Sequence, residues 1–213
     1  MSKGMTTEAL IDQLAKAPPP PPLRPGRMVA VLALALALAL ALYWGVYGLR
    51  ADLAAALARP FVLVKTLVPL MLGALALWAA LGSLYPGKAP RLWPLVAPAL
   101  AAALALGLAL AEATPGRIGA EVFGQTALGC FFSITLLAAA PLWLVLRAMR
   151  IGAPLRPGLS GALAGLAAGG LAAAGYALHC TEDSPLFYVP WYGLAIALSA
   201  LCGAALGRRQ LRW

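Results

Sequence analysis

The residues of this chain that could do chemistry lie mainly in one short polar stretch near its end. That stretch contains the only histidine, His179, one of the three cysteines, Cys180, and the adjacent acids Glu182 and Asp183. A second cysteine, Cys130, lies fifty residues earlier. Two cysteines whose Cα atoms come within about 7 Å can form a disulfide. Two thiols with an imidazole also form a soft ligand set that suits zinc, copper(I) or cadmium. We therefore treat these five residues as the candidate signal-sensing group.

Spacing alone leaves three interpretations of this group open. The two thiols could form a redox-active pair. They could instead bind a thiophilic metal ion together with His179, with Glu182 and Asp183 completing or orienting the site. They could also be packing cysteines beside an interfacial histidine. The third cysteine, Cys202, lies in the last apolar segment and is predicted to be a buried small apolar residue.

Catalysis is not predicted. The sequence contains no Gly-x-Ser-x-Gly motif, no His-Glu-x-x-His motif and no glycine-rich phosphate-binding loop. A membrane enzyme that uses His179 and the two acids is retained only as a third functional hypothesis.

The composition indicates a membrane protein. Of 213 residues, 62% are hydrophobic and only 11% are charged, whereas a soluble domain carries about 25% charged residues. The net charge of +9 does not predict nucleic-acid binding, because the basic residues lie in short segments between apolar runs, as the topology of membrane proteins requires. The first apolar run is longer than the apolar region of about 7–15 residues in a signal peptide, so it is predicted to be an uncleaved span.

Six apolar segments have the length of a membrane span, about 17–25 residues. They predict an all-α membrane protein, a six-helix transmembrane bundle. The chain divides into a cytoplasmic N-terminal segment (1–27), the transmembrane domain (28–207) and a basic cytoplasmic tail (208–213). The predicted spans are 28–49, 61–85, 92–111, 126–146, 158–178 and 191–207.

The distribution of basic residues predicts the orientation of the bundle. Of the 16 Lys and Arg residues, twelve fall on the side of the two termini and four on the other side. The positive-inside rule therefore places both termini in the cytoplasm. Cys130 and Cys180 then lie at the outer face, which in a bacterial inner membrane is oxidising enough for a disulfide to persist.

The N-terminal segment predicts a short amphipathic helix. Thr6 or Thr7 can cap it, and Leu10, Ile11 and Leu14 form one apolar stripe. Such a stripe needs a partner, either a protein groove or the bilayer surface. The five prolines 18–22 that follow predict a stiff polyproline II spacer.

Charged and glycine residues within the spans suggest further contacts. Lys65 and Glu112 lie near the outer ends of the second and third spans, where they could snorkel or pair with each other. The spans contain no mid-membrane relay of ionisable groups, which argues against a proton-coupled transporter. A small-solute or metal-ion transporter remains the alternative function. Gly161, Gly165 and Gly169 predict close helix packing within the chain, with a homodimer seam as the alternative.

Several stretches together resemble the NrsF family of bacterial inner-membrane anti-sigma factors, named as negative regulators of sigma-F. The resemblance covers nearly the whole chain, and departs from the family in the five-proline run and in Cys202. The stretches are Leu10-Ile11-Asp12-Gln13-Leu14-Ala15, Leu23-Arg24-Pro25, Cys130, residues 176–187, Trp191-Tyr192 and residues 207–213.

This resemblance implies a six-span protein that sequesters an extracytoplasmic-function sigma factor at the membrane and releases it under stress. It implies that the cysteine pair matched by Cys130 and Cys180 takes part in the response to oxidative or thiophilic-metal stress. A sigma factor would then be the partner of the stripe at Leu10, Ile11 and Leu14, and the arginine-rich fourth loop could contribute. No cofactor is expected apart from a transient metal ion at the cysteine pair.

Overall fold

The computed structural model describes residues 6–16, 22–85 and 87–212. Within these ranges the regular structure is entirely helical. Most of the predicted proline spacer, residues 18–21, lies outside the described residues, as do the side chains of Leu10 and Leu14.

Six stretches of helix are long and apolar enough to cross a membrane, which confirms the prediction of an all-α protein with six such helices. Four of them begin with proline, whose fixed φ and missing N–H suit the first helical position. In chain order the helices of the described residues are α1 (Thr7–Lys16), α2 (Pro25–Tyr47), α3 (Leu53–Leu57), α4 (Pro60–Gly82), α5 (Val96–Glu112), α6 (Ile118–Phe123), α7 (Ala127–Met149), α8 (Pro157–Tyr176) and α9 (Pro185–Gln210).

The N-terminal helix α1 is capped by Thr6, whose Oγ1 accepts a hydrogen bond from the Ala9 amide at 3.3 Å. Asp12 and Lys16 form an ion pair one turn apart at 2.6 Å. Ile11, on the predicted stripe, is 61% exposed. This side chain is therefore available to a partner outside the described chain.

Helix α8 forms the centre of the bundle between α4 and α9. Most of its residues are buried and the rest are half-buried, and the buried ones are mostly Gly and Ala. A Cβ added at Gly161 would collide with the backbone of Gly203, and one added at Gly165 would collide with the Ser199 carbonyl. The predicted packing of the glycine row within the chain is thus confirmed. Because this face is filled by α9, it is not a free seam for a homodimer.

Two features of α9 differ from expectation. The helix begins at Pro185, six residues before the start of the predicted span, because this proline can occupy the first turn. The prediction that Cys202 is buried is wrong, since its side chain is exposed. The buried face of α9 follows the helical repeat through Ser199, Gly203 and Gly207, and position 202 falls outside it.

Candidate functional site

The two candidate sensing cysteines lie side by side at one end of the bundle. Cys130 is in the first turn of α7, and Cys180 is in the loop that follows α8. Their sulfur atoms are 3.7 Å apart, and both residues are free thiols with exposed fractions of 0% and 4%. A disulfide has a sulfur–sulfur distance of about 2.05 Å. A local shift of the backbone or side chains would therefore be enough to close the bond.

Polar and aromatic side chains from α8, from α9 and from the residue before α7 surround the sulfur atoms. The Tyr176 hydroxyl donates a hydrogen bond to Cys130 Sγ at 3.1 Å, and the Thr126 hydroxyl lies 3.6 Å from the same sulfur. The Tyr176 ring packs edge-on against Tyr192, with 5.9 Å between centroids. Cys130 therefore has a hydroxyl partner, while the aromatic rings keep the pair away from bulk solvent.

His179 joins the Cys180 loop to the end of α2 instead of to the thiols. Its Nδ1 lies 2.8 Å from the Gly48 carbonyl oxygen. A carbonyl can only accept, so Nδ1 carries the proton in this contact. The imidazole also packs edge-on against Tyr43 with 5.3 Å between ring centroids. Among the described residues, no three His, Cys, Asp or Glu side chains come together as a metal site, and the transient metal ion stays a prediction.

Lys65, near the start of α4, is fully buried beside the Cys180 loop. Its ammonium nitrogen lies 2.7 Å from the Cys180 carbonyl oxygen, 3.0 Å from the Glu182 carbonyl oxygen and 2.9 Å from Asp183 Oδ1. These acceptors match the three donors of an ammonium group. The expectation that Lys65 would snorkel or pair with Glu112 is therefore wrong. The loop after α8 folds back over α4 and supplies the partners, which leaves no ammonium donor for a transported solute.

Arg50, in the loop after α2, completes this arrangement from the other side. Its guanidinium donates to both carboxylate oxygens of Asp183, at 2.7 and 3.0 Å, and to both of Asp52, at 2.8 and 3.1 Å. It also donates to the Cys180 carbonyl at 3.2 Å. The Arg50 side chain is only 3% exposed. Bidentate pairs of this kind are strong and fix the orientation of both partners.

The ion pairs set the protonation of the carboxyl groups. Burial alone would raise the pKa of Asp183, but hydrogen bonds from Arg50 and Lys65 outweigh burial and leave the pKa lowered. The hydrogen bond from Arg50 likewise lowers the pKa of Asp52, and its pairing with Asp183 and Asp52 raises the pKa of Arg50 itself. All three groups are therefore charged at neutral pH.

We call Lys65, Arg50 and Asp183 the Cys180 clamp, because two cations converge on the backbone oxygen of Cys180 and the Asp183 carboxylate pairs with both. Asp52 supplies the second counter-charge for Arg50. The clamp joins the loop after α2, helix α4 and the loop after α8. It therefore fixes the position of Cys180 opposite Cys130. Removing one partner of such a buried set costs roughly 3–5 kcal/mol, because the remaining charges lose their compensation.

Glu182 binds a different part of the structure. Its Oε1 accepts a hydrogen bond from the Gln125 amide at 3.0 Å, just before α7 begins. Nearby, the Trp191 indole donates to the Val122 carbonyl at 2.8 Å. The two contacts attach the corner between α6 and α7 to the loop before α9 and to the first turns of α9, on the side of the bundle that holds Cys130.

The structure thus brings Cys130, Cys180, Glu182 and Asp183 into one region, with His179 on its margin. Sequence reasoning missed Arg50 and Tyr176, and it misassigned Lys65. A signal for the two cations was present, since a basic residue on the acidic, outer side of the predicted topology runs against the positive-inside bias. For Tyr176 no such signal was present, because its partner Cys130 is 46 residues away in sequence.

Comparison with known proteins identifies relatives over almost the full chain. A family model described as "Negative regulator of sigma F" matches residues 14–213. The chain is 36% identical, over 77% of its length, to a protein of Azospira oryzae named probable anti-sigma-F factor NrsF, and covers 78% of that protein. It is 35% identical, over 98% of its length, to the anti-sigma-F factor NrsF of Caulobacter vibrioides, which it covers completely. No solved structure matches the chain.

Proposed function

The chain belongs to the NrsF family of negative regulators of sigma F, and on that premise we propose how it acts. It is an integral inner-membrane anti-sigma factor that holds an extracytoplasmic-function sigma factor at the cytoplasmic face. It releases the sigma factor when the thiols of Cys130 and Cys180 are oxidised. The observation that carries the sensing proposal is the 3.7 Å separation of the two buried sulfur atoms.

The orientation is supported by the placement of charge in the structure. The thiols, the Cys180 clamp and the acids Glu112 and Glu121 share one end of the bundle. Arg24, Arg27 and Arg147 lie together at the opposite end. Since positive charge favours the cytoplasmic side, the thiols face the periplasm and α1 lies in the cytoplasm.

The redox step needs a two-electron oxidant such as hydrogen peroxide. One thiolate sulfur attacks a peroxide oxygen, a sulfur–oxygen bond forms, the oxygen–oxygen bond breaks, and the hydroxide that leaves is protonated to water. The second thiol then attacks this sulfur, the sulfur–sulfur bond forms, the sulfur–oxygen bond breaks, and a second water leaves. The two thiols lose two electrons and the peroxide gains them.

Oxidation requires the sulfur atoms to approach each other, and the clamp restricts how they can do so. The backbone of Cys180 is bound to α4 and to the loop after α2. Movement therefore falls largely on α7, which carries Cys130 at one end and Arg147 in its last turn at the other. A displacement of α7 thus reaches the cytoplasmic face, next to the start of α2.

The energy available is sufficient for a switch. A tenfold loss of sigma-factor affinity corresponds to about 1.4 kcal/mol. A disulfide typically changes the folding stability of a protein by about 2–4 kcal/mol. If only half of this difference distinguishes the holding state from the releasing state, the affinity changes about tenfold.

Capture of the sigma factor is tested by co-purification from reduced membranes. The full chain and a chain without residues 1–16 are expressed at equal levels with the sigma factor. We expect the full chain to retain it and the shortened chain to lose it, because the exposed stripe at Ile11 supplies the contact. Equal retention by both chains would remove α1 from the binding surface.

A further inference from the structure

A groove of about 400 Å³ lies at the end of the bundle opposite the thiols, between the start of α2 and the end of α7. Its volume is within the range of about 300–1,000 Å³ that is typical of small-molecule sites. Its polar rim is formed by Arg24, Arg27 and Arg147. Its apolar wall includes Met28, Val31 and Leu144.

The three arginines have no acidic partner in the part of the chain that the structure describes. The acids from Asp52 onward lie at the other end of the bundle, among the clamp, the Gln125 contact and the loop after α5. Asp12, in the N-terminal helix, is paired with Lys16. Three arginines around one groove, none of them paired with an acid among the described residues, favour an anionic ligand.

The depth of the groove in the membrane indicates which anion fits. Helix α2 begins at Pro25 and α7 ends at Met149, so the groove lies where two spans reach the membrane surface. Trp143 is 46% exposed, and the Arg147 guanidinium lies 4.8 Å from its ring centroid. Tryptophan favours the headgroup level. A small soluble anion would contact only the basic rim. An anionic lipid would contact the rim with its headgroup and the apolar wall with an acyl chain.

We propose that this groove binds the phosphate headgroup of an anionic phospholipid, with an acyl chain along Leu144. Basic pockets between spanning helices on the cytoplasmic side are suited to such headgroups. The site joins α2 to α7, the same two helices that meet at the other end through the 3.2 Å hydrogen bond between Tyr43 and Ser133. The proposal does not depend on the sensing role of the thiols.

Native mass spectrometry of the full chain in detergent, with phosphatidylglycerol or phosphatidylcholine of identical acyl chains, tests the proposal. The triple variant Arg24→Gln, Arg27→Gln, Arg147→Gln should bind phosphatidylglycerol about 100-fold more weakly than the natural chain. The matched control is Arg208→Gln, Arg209→Gln, Arg212→Gln, which removes the same charge from exposed positions at and just after the end of α9 and should bind normally. Substituting the three groove arginines with lysine should keep most of the affinity, which separates loss of charge from misfolding.

Three results would overturn the proposal. The first is equal phosphatidylglycerol binding by the triple variant and its control. The second is displacement of the lipid by millimolar inorganic phosphate, which would make the groove a site for free anions. The third is loss of sigma-factor capture by the triple variant with lipid binding unchanged, which would assign the groove to a protein partner.

Discussion

The ammonium nitrogen of Lys65 lies 2.7 Å from the carbonyl oxygen of Cys180, across an interface between α4 and the loop after α8. This contact joins residues that are 115 positions apart in sequence. It places a fully buried cation next to a candidate redox thiol. The position of the thiol therefore depends on an ionic cluster whose two cations, Lys65 and Arg50, are buried.

Replacing Lys65 with methionine should destabilise the protein by roughly 3–5 kcal/mol, because Asp183 and two carbonyl oxygens lose a buried donor. Thermal or denaturant unfolding in detergent measures the loss. Lys88→Met is the matched control, since Lys88 is exposed and lies 5.2 Å from the Tyr85 ring centroid. The Lys88→Met substitution should lower the folding stability by about 1 kcal/mol or less. Equal effects of the two substitutions would contradict the structural role of Lys65.

Acid should weaken the clamp. The folded-state pKa of Asp183 is lowered from its usual value of 3.8. Its ion pairs therefore contribute stability that is complete above the unfolded pKa and is lost as pH falls through the folded pKa. We expect the unfolding temperature to hold from pH 7 to about 5 and to fall below pH 4. In the Asp183→Asn variant the unfolding temperature should be lower at pH 7 and should fall less steeply as the pH decreases. The remaining decrease comes from Asp52 and other acids. A variant profile parallel to the natural one would count against the clamp.

The contact between α8 and α9 should not tolerate a methyl group. A Cβ at Gly165 would lie 2.7 Å from Ala200 Cα and would also meet the Ser199 carbonyl. Gly165→Ala should therefore cost about 1–3 kcal/mol of folding stability. Gly107→Ala is the control, because nothing lies within 4 Å of a Cβ added there. It should be neutral or stabilise the helix by up to about 1 kcal/mol. If Gly165→Ala proved as benign as Gly107→Ala, the packing of α8 on α9 would be wrong.

Cysteines placed at opposite ends of the bundle test the proposed orientation. Thr181 is exposed in the loop next to the clamp, and Lys88 is exposed at the other end. In a chain whose three cysteines are replaced by serine, a membrane-impermeant maleimide on spheroplasts should label Thr181→Cys and not Lys88→Cys. Lysed cells should show labelling of both. The reverse pattern on spheroplasts would place the thiol end in the cytoplasm and remove the periplasmic signal path.

The elements of this fold could be predicted from the sequence because bilayer thickness constrains them. Long apolar runs predict spanning helices, and regularly spaced glycines such as Gly161 and Gly165 predict where two helix backbones meet. The helix ends were harder to predict. Proline can either start a helix or interrupt one, so Pro185 and Pro190 left the start of α9 ambiguous.

The surroundings of the candidate site could be predicted only in part. Cys130, Cys180 and Asp183 were recognisable as rare reactive groups in an apolar chain. Their partners Lys65, Arg50 and Tyr176 are brought to them by packing of helices distant in sequence, and spacing gives no information on such contacts. The wrong prediction that Cys202 is buried has a different cause. An apolar segment predicts burial, but the lipid-compatible face of a spanning helix is just as apolar as its buried face.

In the proposed switch, closing the bond between Cys130 and Cys180 releases the sigma factor. The direct measurement uses the complex reconstituted in lipid nanodiscs and titrated with hydrogen peroxide, with the disulfide fraction and the bound sigma factor determined in the same samples. We expect release to rise in step with the disulfide, to reverse on reduction, to persist in Cys202→Ser and to be absent in Cys130→Ser, Cys180→Ser. Complete disulfide formation with the sigma factor still bound, or peroxide-driven release from the double variant, would contradict the claim.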